Sequence, residues 1–530
     1  MMVTRSLRSI PGGSRRRTTA RPAGSGSLIT LLAILVALAA ATPLSYLLIR
    51  AAELGWTRVW DVAFSARVGQ LLLKTSLLAV AVTVTSVAVA VPLAWLTVRS
   101  DLPGRRFWVV ISALPLAIPT YVGAFVLIAA FGPKGILQGW LEPVGVERLP
   151  EIYGFRGAWF ALSLFSYPYV LLPVRAALRR IDPGMEEASR LLGASSWQTF
   201  RRIVLPQLRP AMSAGSLLVA LYALSDFGAV SLMRFDSLTR AIFIQYRSSL
   251  DRSTAVVYGL VLVALTIVIL TMEQRTRRRE HYHRLHGGGG RAAATVRLGR
   301  LRWPAFLGCG LLSLLALGVP LGVIGTWLVR GLRADEPIRL TWELARNSLT
   351  AAFLAGVVAV AVAWPVAIVV VRRRGWLGRT VETLAWSGHA LPGVVVALSL
   401  VFLGARALPS LYQTLAMLVF AYVVLFLPQA VGSIRASLLL GRGPATTLRK
   451  IVLPLSRPGL AAGGALVFLT TMKELPATLL LAPTGYSTLA TQVWSATSEA
   501  FFGRAAAPAT ALVLLSALPM TVLVLRESDS

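Results

Sequence analysis

The sequence predicts an all-α polytopic membrane protein made of two tandem six-helix repeats, about twelve transmembrane helices in all, and three observations predict it. Hydrophobic residues make up 56% of the chain and charged residues only 14%, too few to cover a soluble surface of this size. Twelve apolar runs are each long enough to cross a hydrocarbon layer of roughly 30 Å at about 1.5 Å per residue. A polar, arginine-rich stretch around Gly193, Leu205-Pro206 and Pro210 returns at Gly441, Leu453-Pro454 and Pro458, each at an offset of 248 residues.

The net charge of +31 raises the possibility of nucleic acid, but the arginines sit between long uncharged runs, as membrane topology requires, and form no basic face of a soluble fold. The single cysteine, Cys309, excludes an internal disulfide and any all-cysteine metal cluster. It lies in an apolar run and reads as a small buried thiol.

Residues 1–27 carry six arginines among Gly, Ser and Thr and read as a basic, disordered cytoplasmic tail. The first repeat, 28–272, holds the runs Ser27 to Ile49, Thr75 to Val98, Phe107 to Pro133, Gly157 to Val174, Ala211 to Met233 and Thr254 to Met272. Ala37-Leu38-Ala39 imitates a signal-peptidase site, but a removable apolar region spans only about 7–15 residues, so the first run is expected to be retained. A basic, glycine-containing cytoplasmic linker follows at 273–303. The second repeat, 304–530, holds Trp303 to Val329, Asn347 to Val371, Thr383 to Ala405, Ala407 to Ile434, Gly459 to Ala482 and Ala505 to Leu525. With both termini, the linker and both repeated loops inside, the greater share of the 53 Lys+Arg faces the cytoplasm.

The repeat extends beyond the loop. Asn347-Ser348-Leu349 answers Thr75-Ser76-Leu77, Pro365 answers Pro92, and Pro392 answers Pro119, at an offset near 273 that falls to 255 at Pro173/Pro428 and then to 248. Asp226 and Glu474 share the last offset, as do Tyr246 and Trp494. Parallel repeats of this kind place a pseudo-two-fold axis along the membrane normal.

The first loop reads as helix, break, helix. Asp182 is the expected N-cap with Pro183 at the first helical position; Glu186 and Glu187 fall in the favourable first turn, and Gly193 permits the change of direction. A short helix lying across the membrane surface can seat in a cleft of a soluble partner. An ordinary interhelical loop is the alternative, but a spaced second copy argues against it.

Glu187-Ala188-Ser189, Gly193-Ala194, Ile203, Leu205-Pro206 and Pro210 resemble the EAA loop of ATP-binding-cassette (ABC) importer permeases. The tandem layout, with Ser225-Asp226-Phe227-Gly228-Ala229-Val230 and Lys473-Glu474-Leu475-Pro476-Ala477-Thr478, more narrowly resembles the fused ferric-iron permeases, from about residue 70 to the C-terminus. The resemblance implies a type I ABC importer permease fold in the bacterial inner membrane. It also implies a cytoplasmic ATPase dimer docked on the two loops, with ATP and Mg held by that partner and no cofactor on this chain, and an extracytoplasmic solute-binding protein. The implied coupling residues are Glu186, Glu187, Ala188, Gly193, Ala194, Leu205, Pro206, Gly441, Leu453 and Pro454. One departure stands out: the second loop has lost seven residues, and an ungapped reading sets Arg435 opposite Glu187, so unequal coupling by the two loops is expected.

Asp226, Lys473 and Glu474 interrupt otherwise apolar runs, where a charge costs about 2.5–3.5 kcal/mol on insertion scales. Either the two carboxylates line a cation path, as hard oxygen ligands suited to a trivalent metal, or Lys473 pairs with one of them as a lock between helices. The lock is the favoured reading, because tight metal capture opposes release. His281, His283 and His286 of the linker lack the partners of a closed metal site and read as a solvated connector. Tyr246 and Trp494 serve either as contacts for a binding protein or as interfacial anchors. Pro92, Pro115, Pro119, Pro168, Pro173, Pro365, Pro392 and Pro428 lie in apolar runs and are compatible with kinks used in gating.

No Gly-x-x-x-x-Gly-Lys-Ser/Thr phosphate cradle and no nucleophile motif occurs, so a transport conduit, not an enzyme, is expected. The favoured substrate is ferric iron, with thiamine or another small solute as alternatives. The competing classes are an ion-coupled secondary transporter using Asp226 and Glu474, and a membrane scaffold.

Overall fold

The computed structural model describes residues 25–133, 135–248, 252–279, 295–333, 338–373, 375–388, 391–440 and 453–529. Gly441, the rest of the second loop to residue 452, the N-terminal tail to residue 24 and the three linker histidines lie outside the described residues. Among the described residues the chain is helical, with one isolated parallel bridge between Ser100 and Val296.

The first half runs α1 (Ser25–Leu54), α2 (Trp56–Ala63), α3 (Ala66–Arg99), α4 (Arg105–Ile111), α5 (Thr120–Phe131), α6 (Ile136–Leu141), α7 (Phe155–Ser166), α8 (Pro168–Arg180), α9 (Pro183–Leu191), α10 (Ser196–Thr199), α11 (Leu205–Ser225), α12 (Gly228–Leu232), α13 (Leu238–Ser248) and α14 (Ser253–Arg279). The second runs α15 (Arg302–Ser313), α16 (Val319–Arg333), α17 (Ile338–Arg372), α18 (Trp376–Ser387), α19 (Gly393–Ala407), α20 (Leu415–Leu440), α21 (Leu453–Met472), α22 (Pro476–Leu481), α23 (Leu489–Ser498) and α24 (Phe502–Asp529). Among the described residues nine helical stretches are long and apolar enough to cross a membrane, and Gly393–Ala407 and Phe502–Ala517 are shorter apolar helices. With α21, each of the twelve apolar runs is occupied by helix.

Several of those runs are broken instead of continuous. Phe107 to Pro133 splits into α4, a 3₁₀ turn at Leu114–Ala117 and α5, which starts behind Pro119; Thr383 to Ala405 splits into α18 and α19, which starts behind Pro392. Proline has no N–H to donate and disfavours helix in the residue before it, so each of these prolines opens a new helix where a kink was expected. Pro168 likewise stands at the first position of α8, whereas Pro92, Pro173, Pro365 and Pro428 lie inside α3, α8, α17 and α20. The runs through Asp226 and Glu474 break as α11/α12 and α21/α22.

Each half packs around one trio, α3–α8–α11 in the first and α17–α20–α21 in the second. Lipid offers apolar side chains no hydrophobic gain, so close backbone approach carries this packing. A Cβ on Gly215 of α11 would stand 2.7 Å from Val170 of α8, and one on Gly463 of α21 3.1 Å from Ala430 of α20. The repeat register shows in one further pair of bonds. Leu238 donates its N–H to Thr75 Oγ1 at 3.0 Å and Leu489 to Ser348 Oγ at 2.8 Å, so Thr75 answers Ser348 at offset 273, one residue off the Thr75/Asn347 pairing read from sequence.

The halves are interleaved. α1 packs on α17, α18 and α19 of the second half; Tyr46 donates its hydroxyl to the Phe402 carbonyl at 3.2 Å, and Arg406 bonds Glu53 at 3.3 Å. Reciprocally, α15 lies against α4 through Trp108 and Phe306, whose rings are 5.3 Å apart, and α16 packs on α5. Trp56 and Trp60 of the short α2, and Phe64 that caps it, point outward, as an interfacial helix requires.

Candidate functional site

The first arginine-rich loop folds from its own sequence signals. Asp182 Oδ1 accepts the Gly184 N–H at 3.0 Å and caps α9, with Pro183 at its first position and Glu186 in the first turn. The helix ends in a left-handed glycine. Gly193 has φ +85°, its N–H reaches the Arg190 carbonyl at 3.0 Å, and Ala194 reaches Ser189 at 3.1 Å, the two bonds of a Schellman stop. A capping box follows, with Ser195 Oγ accepting from Gln198 N–H at 3.2 Å and Gln198 Oε1 from Ser195 N–H at 3.0 Å. The Ser189 and Thr199 hydroxyls, 3.1 Å apart, staple α9 to α10, and a π-turn at Phe200–Val204 leads into α11.

This turn carries large apolar side chains in the open. Leu191 and Leu192 are each 88% exposed and Trp197 68%, stacked on Phe200 with centroids 5.8 Å apart. Glu187, Ala188 and Gly193 are exposed with them, while Ala194, Leu205 and Pro206 are half-buried beneath. Glu186 is turned inward: its Oε1 lies 3.1 Å from Arg99 and its Oε2 3.7 Å from Arg190. The turn thus presents an exposed apolar rim, flanked by the exposed Arg201, Arg202 and Arg209.

For the second copy, Leu453 and Pro454 open α21, whereas Gly441 lies outside the described residues. Twelve residues, 441–452, separate α20 from α21, where twenty-four, 181–204, separate α8 from α11. Arg435 does not stand in a loop opposite Glu187. It belongs to α20 and pairs with Glu382 of α18.

The carboxylates inside the membrane are engaged by backbone. Asp226 Oδ1 accepts the N–H groups of Ala229 at 3.0 Å and Val230 at 3.2 Å, opening α12, and Oδ2 accepts the Thr120 hydroxyl from the first residue of α5. Glu474 repeats the arrangement, with Oε1 accepting from Ala477 at 3.0 Å and Oε2 from the Thr478 N–H and hydroxyl at 3.1 Å each. A Cβ on Gly393, first residue of α19, would stand 2.9 Å from Glu474 Oε1. In both halves one carboxylate therefore faces the start of two half-helices, where the unpaired N–H groups of a helix favour a negative charge.

The expected lock between Lys473 and a carboxylate is corrected. Lys473 Nζ donates to the Leu116 carbonyl of the first half at 2.8 Å. The 3₁₀ turn at Leu114–Ala117 leaves that oxygen free of the α-helical ladder, which is why it can accept the half-buried ammonium. A Cβ on Gly228 would meet both Tyr121 of α5 and Leu475 beside Glu474, so the two carboxylate junctions adjoin there. Trp494 packs against Phe227, tilted at 5.8 Å, and edge-on against Phe243 at 5.7 Å, both of the first half, and Tyr246 lies 6.3 Å from Phe402 of the second. Both aromatics thus pack across the halves. Among the described residues no group of three or more His, Cys, Asp or Glu is placed to hold a metal ion.

Sequence reasoning did not single out Arg99, which carries the closest contact to Glu186. An arginine closing an apolar run reads as a topology signal, and nothing in its spacing marks it as buried.

Residues 86–280 match the family model described as the binding-protein-dependent transport system inner membrane component. The chain is 35% identical over 513 residues to the Fe(3+)-transport system permease protein FbpB 2 of Haemophilus influenzae, a match covering 93% of this chain and 97% of that protein. It is 32% identical over 188 residues to the sulfate transport system permease protein CysT of Escherichia coli, covering 36% of this chain and 67% of that protein. Against the sulfate transport system permease protein CysW of Synechocystis sp. the figures are 29% over 215 residues, 37% and 77%.

Proposed function

The chain belongs to the family of binding-protein-dependent transport system inner membrane components, and from that premise we propose that it is the fused permease of an ATP-driven importer whose solute is ferric iron. The observation that carries the coupling half of this reading is the capped, glycine-stopped turn α9–α10, which holds Leu191, Leu192 and Trp197 in the open. The substrate half is supported by the near full-length relative named for Fe(3+) transport; the sulfate permeases align with about a third of the chain.

In this reading the arginine-rich turns face the cytoplasm, with both termini. A separate ATPase dimer, holding ATP and Mg, seats α9–α10 in a cleft, and this chain hydrolyses nothing. A loaded binding protein docks on the opposite face, where α13 and α23 lie. Closure of the ATPase pair draws the coupling turns together, the two interleaved halves rock about the central junctions, and the path opens to the other side. With every oxygen of Asp226 and Glu474 accepting a hydrogen bond, the carboxylates serve as helix-start counter-charges and not as metal ligands. Selection then rests with the binding protein.

The test is reconstitution. Chain, ATPase and binding protein in proteoliposomes are expected to take up ferric iron only with ATP and binding protein present, undiminished by excess sulfate or thiamine. Uptake driven by an ion gradient through the lone chain, or sulfate uptake in place of iron, would overturn the proposal.

A further inference from the structure

We propose that Arg99 is a positioning residue that holds the first coupling turn in place and ties it to the segment joining the two halves; this rests on reading α9–α10 as the docking turn. Arg99 is the last residue of α3 and is only 4% exposed. Its guanidinium donates to the carbonyls of Leu178 and Ile181, both at 3.2 Å, and stands 3.1 Å from Glu186 Oε1. Leu178 and Ile181 belong to the last turn and the C-cap of α8, whose carbonyls lack helical partners and favour a positive charge. One side chain thus closes the end of α8 and grips the first turn of α9, fixing the angle between them.

The backbone at the same place holds the linker. Val296 donates its N–H to the Arg99 carbonyl at 2.8 Å, Asp101 donates its own to the Val296 carbonyl at 3.2 Å, and Asp101 Oδ1 accepts the Leu298 N–H at 2.8 Å. Residues 296–298 lead directly into α15, which lies against α4. A displacement of α9 is therefore delivered at one residue to α3 of the first half and to the entry of the second. Arg372, which closes α17 at the repeat offset of 273, is exposed, so the junction belongs to the first turn and not to its mate.

Hydrogen exchange of backbone amides 183–199, measured on the full-length chain alone in lipid nanodiscs, decides the positioning role whether or not an ATPase docks there. Arg99→Met is expected to raise exchange across this segment about tenfold, as expected for loss of local closure, with Arg99→Lys restoring part of the protection. Glu186→Gln and Val296→Pro, which removes the N–H bonded to Arg99 and also fixes the local φ, are expected to act in the same direction and carry the test if Arg99→Met fails to assemble. Glu187→Gln, at an exposed carboxylate away from Arg99, should leave the exchange of the isolated chain unchanged. In the reconstituted transporter Arg99→Lys should lower the stimulation of ATP hydrolysis by loaded binding protein several-fold at unchanged basal rate. Unaltered exchange in Arg99→Met, or in both Glu186→Gln and Val296→Pro, overturns the positioning role. Loosened exchange with undiminished stimulation overturns its part in coupling. Failure of the ATPase to co-purify with the unmodified chain would instead remove the docking reading, leaving the exchange result to stand alone.

Discussion

The Lys473 ammonium lies 2.8 Å from the carbonyl oxygen of Leu116, so a charge carried by the second half is held by a broken span of the first. Removing it leaves the Leu116 carbonyl without this partner at the contact between halves. Lys473→Met is expected to lower the stability of the purified chain by about 1.5–3 kcal/mol, the usual worth of a hydrogen bond to a charged group. Unfolding in detergent measures this. The double exchange Lys473→Asp with Asp226→Lys should not rescue it, because the two residues are not paired.

Asp226 and Glu474 accept N–H groups at helix starts, and that role tolerates a neutral amide. Asp226→Asn should retain most transport, whereas Asp226→Ala, which removes the acceptor, should cost about 0.5–2 kcal/mol of stability. Glu474→Gln and Glu474→Ala should divide the same way. Comparing uptake and melting for the four variants separates this role from metal ligation, under which the amides would be as damaging as alanine.

Leu191 and Leu192 touch little of their own chain, so replacing them perturbs the fold by no more than about 0.5 kcal/mol. Leu191→Asp with Leu192→Asp is expected to abolish ATPase co-purification at unchanged expression and melting temperature.

A Cβ on Gly193 would meet no atom within 4 Å, so the cost of Gly193→Ala is purely that of its φ of +85°. Roughly 1–2 kcal/mol should be lost from the local stop of α9. Hydrogen exchange at residues 190–195 should rise while the amides of α8 stay protected.

Much of the architecture was legible because membrane sequences must obey length and charge rules that read directly: twelve apolar runs became helix, and Asp182-Pro183 and Gly193 start and stop α9. The breaks were not. Pro119 and Pro92 look alike in sequence, yet one opens a helix and the other sits inside one, because packing decides whether the chain bends or restarts. The partners of Lys473 and Arg99 were hidden for another reason. Both bind carbonyl oxygens, which every residue carries, so no side-chain pattern announces them.

The central claim is that α9–α10 is presented to a cytoplasmic ATPase. Cys309, the chain's single cysteine, is buried, so Leu191→Cys adds one accessible thiol to an otherwise silent chain. With a short bifunctional thiol reagent in the assembled transporter, that position should cross-link to the ATPase subunit and resist an impermeant maleimide added outside intact cells. Labelling of Leu191→Cys from outside, with no cross-link to the ATPase, would contradict it.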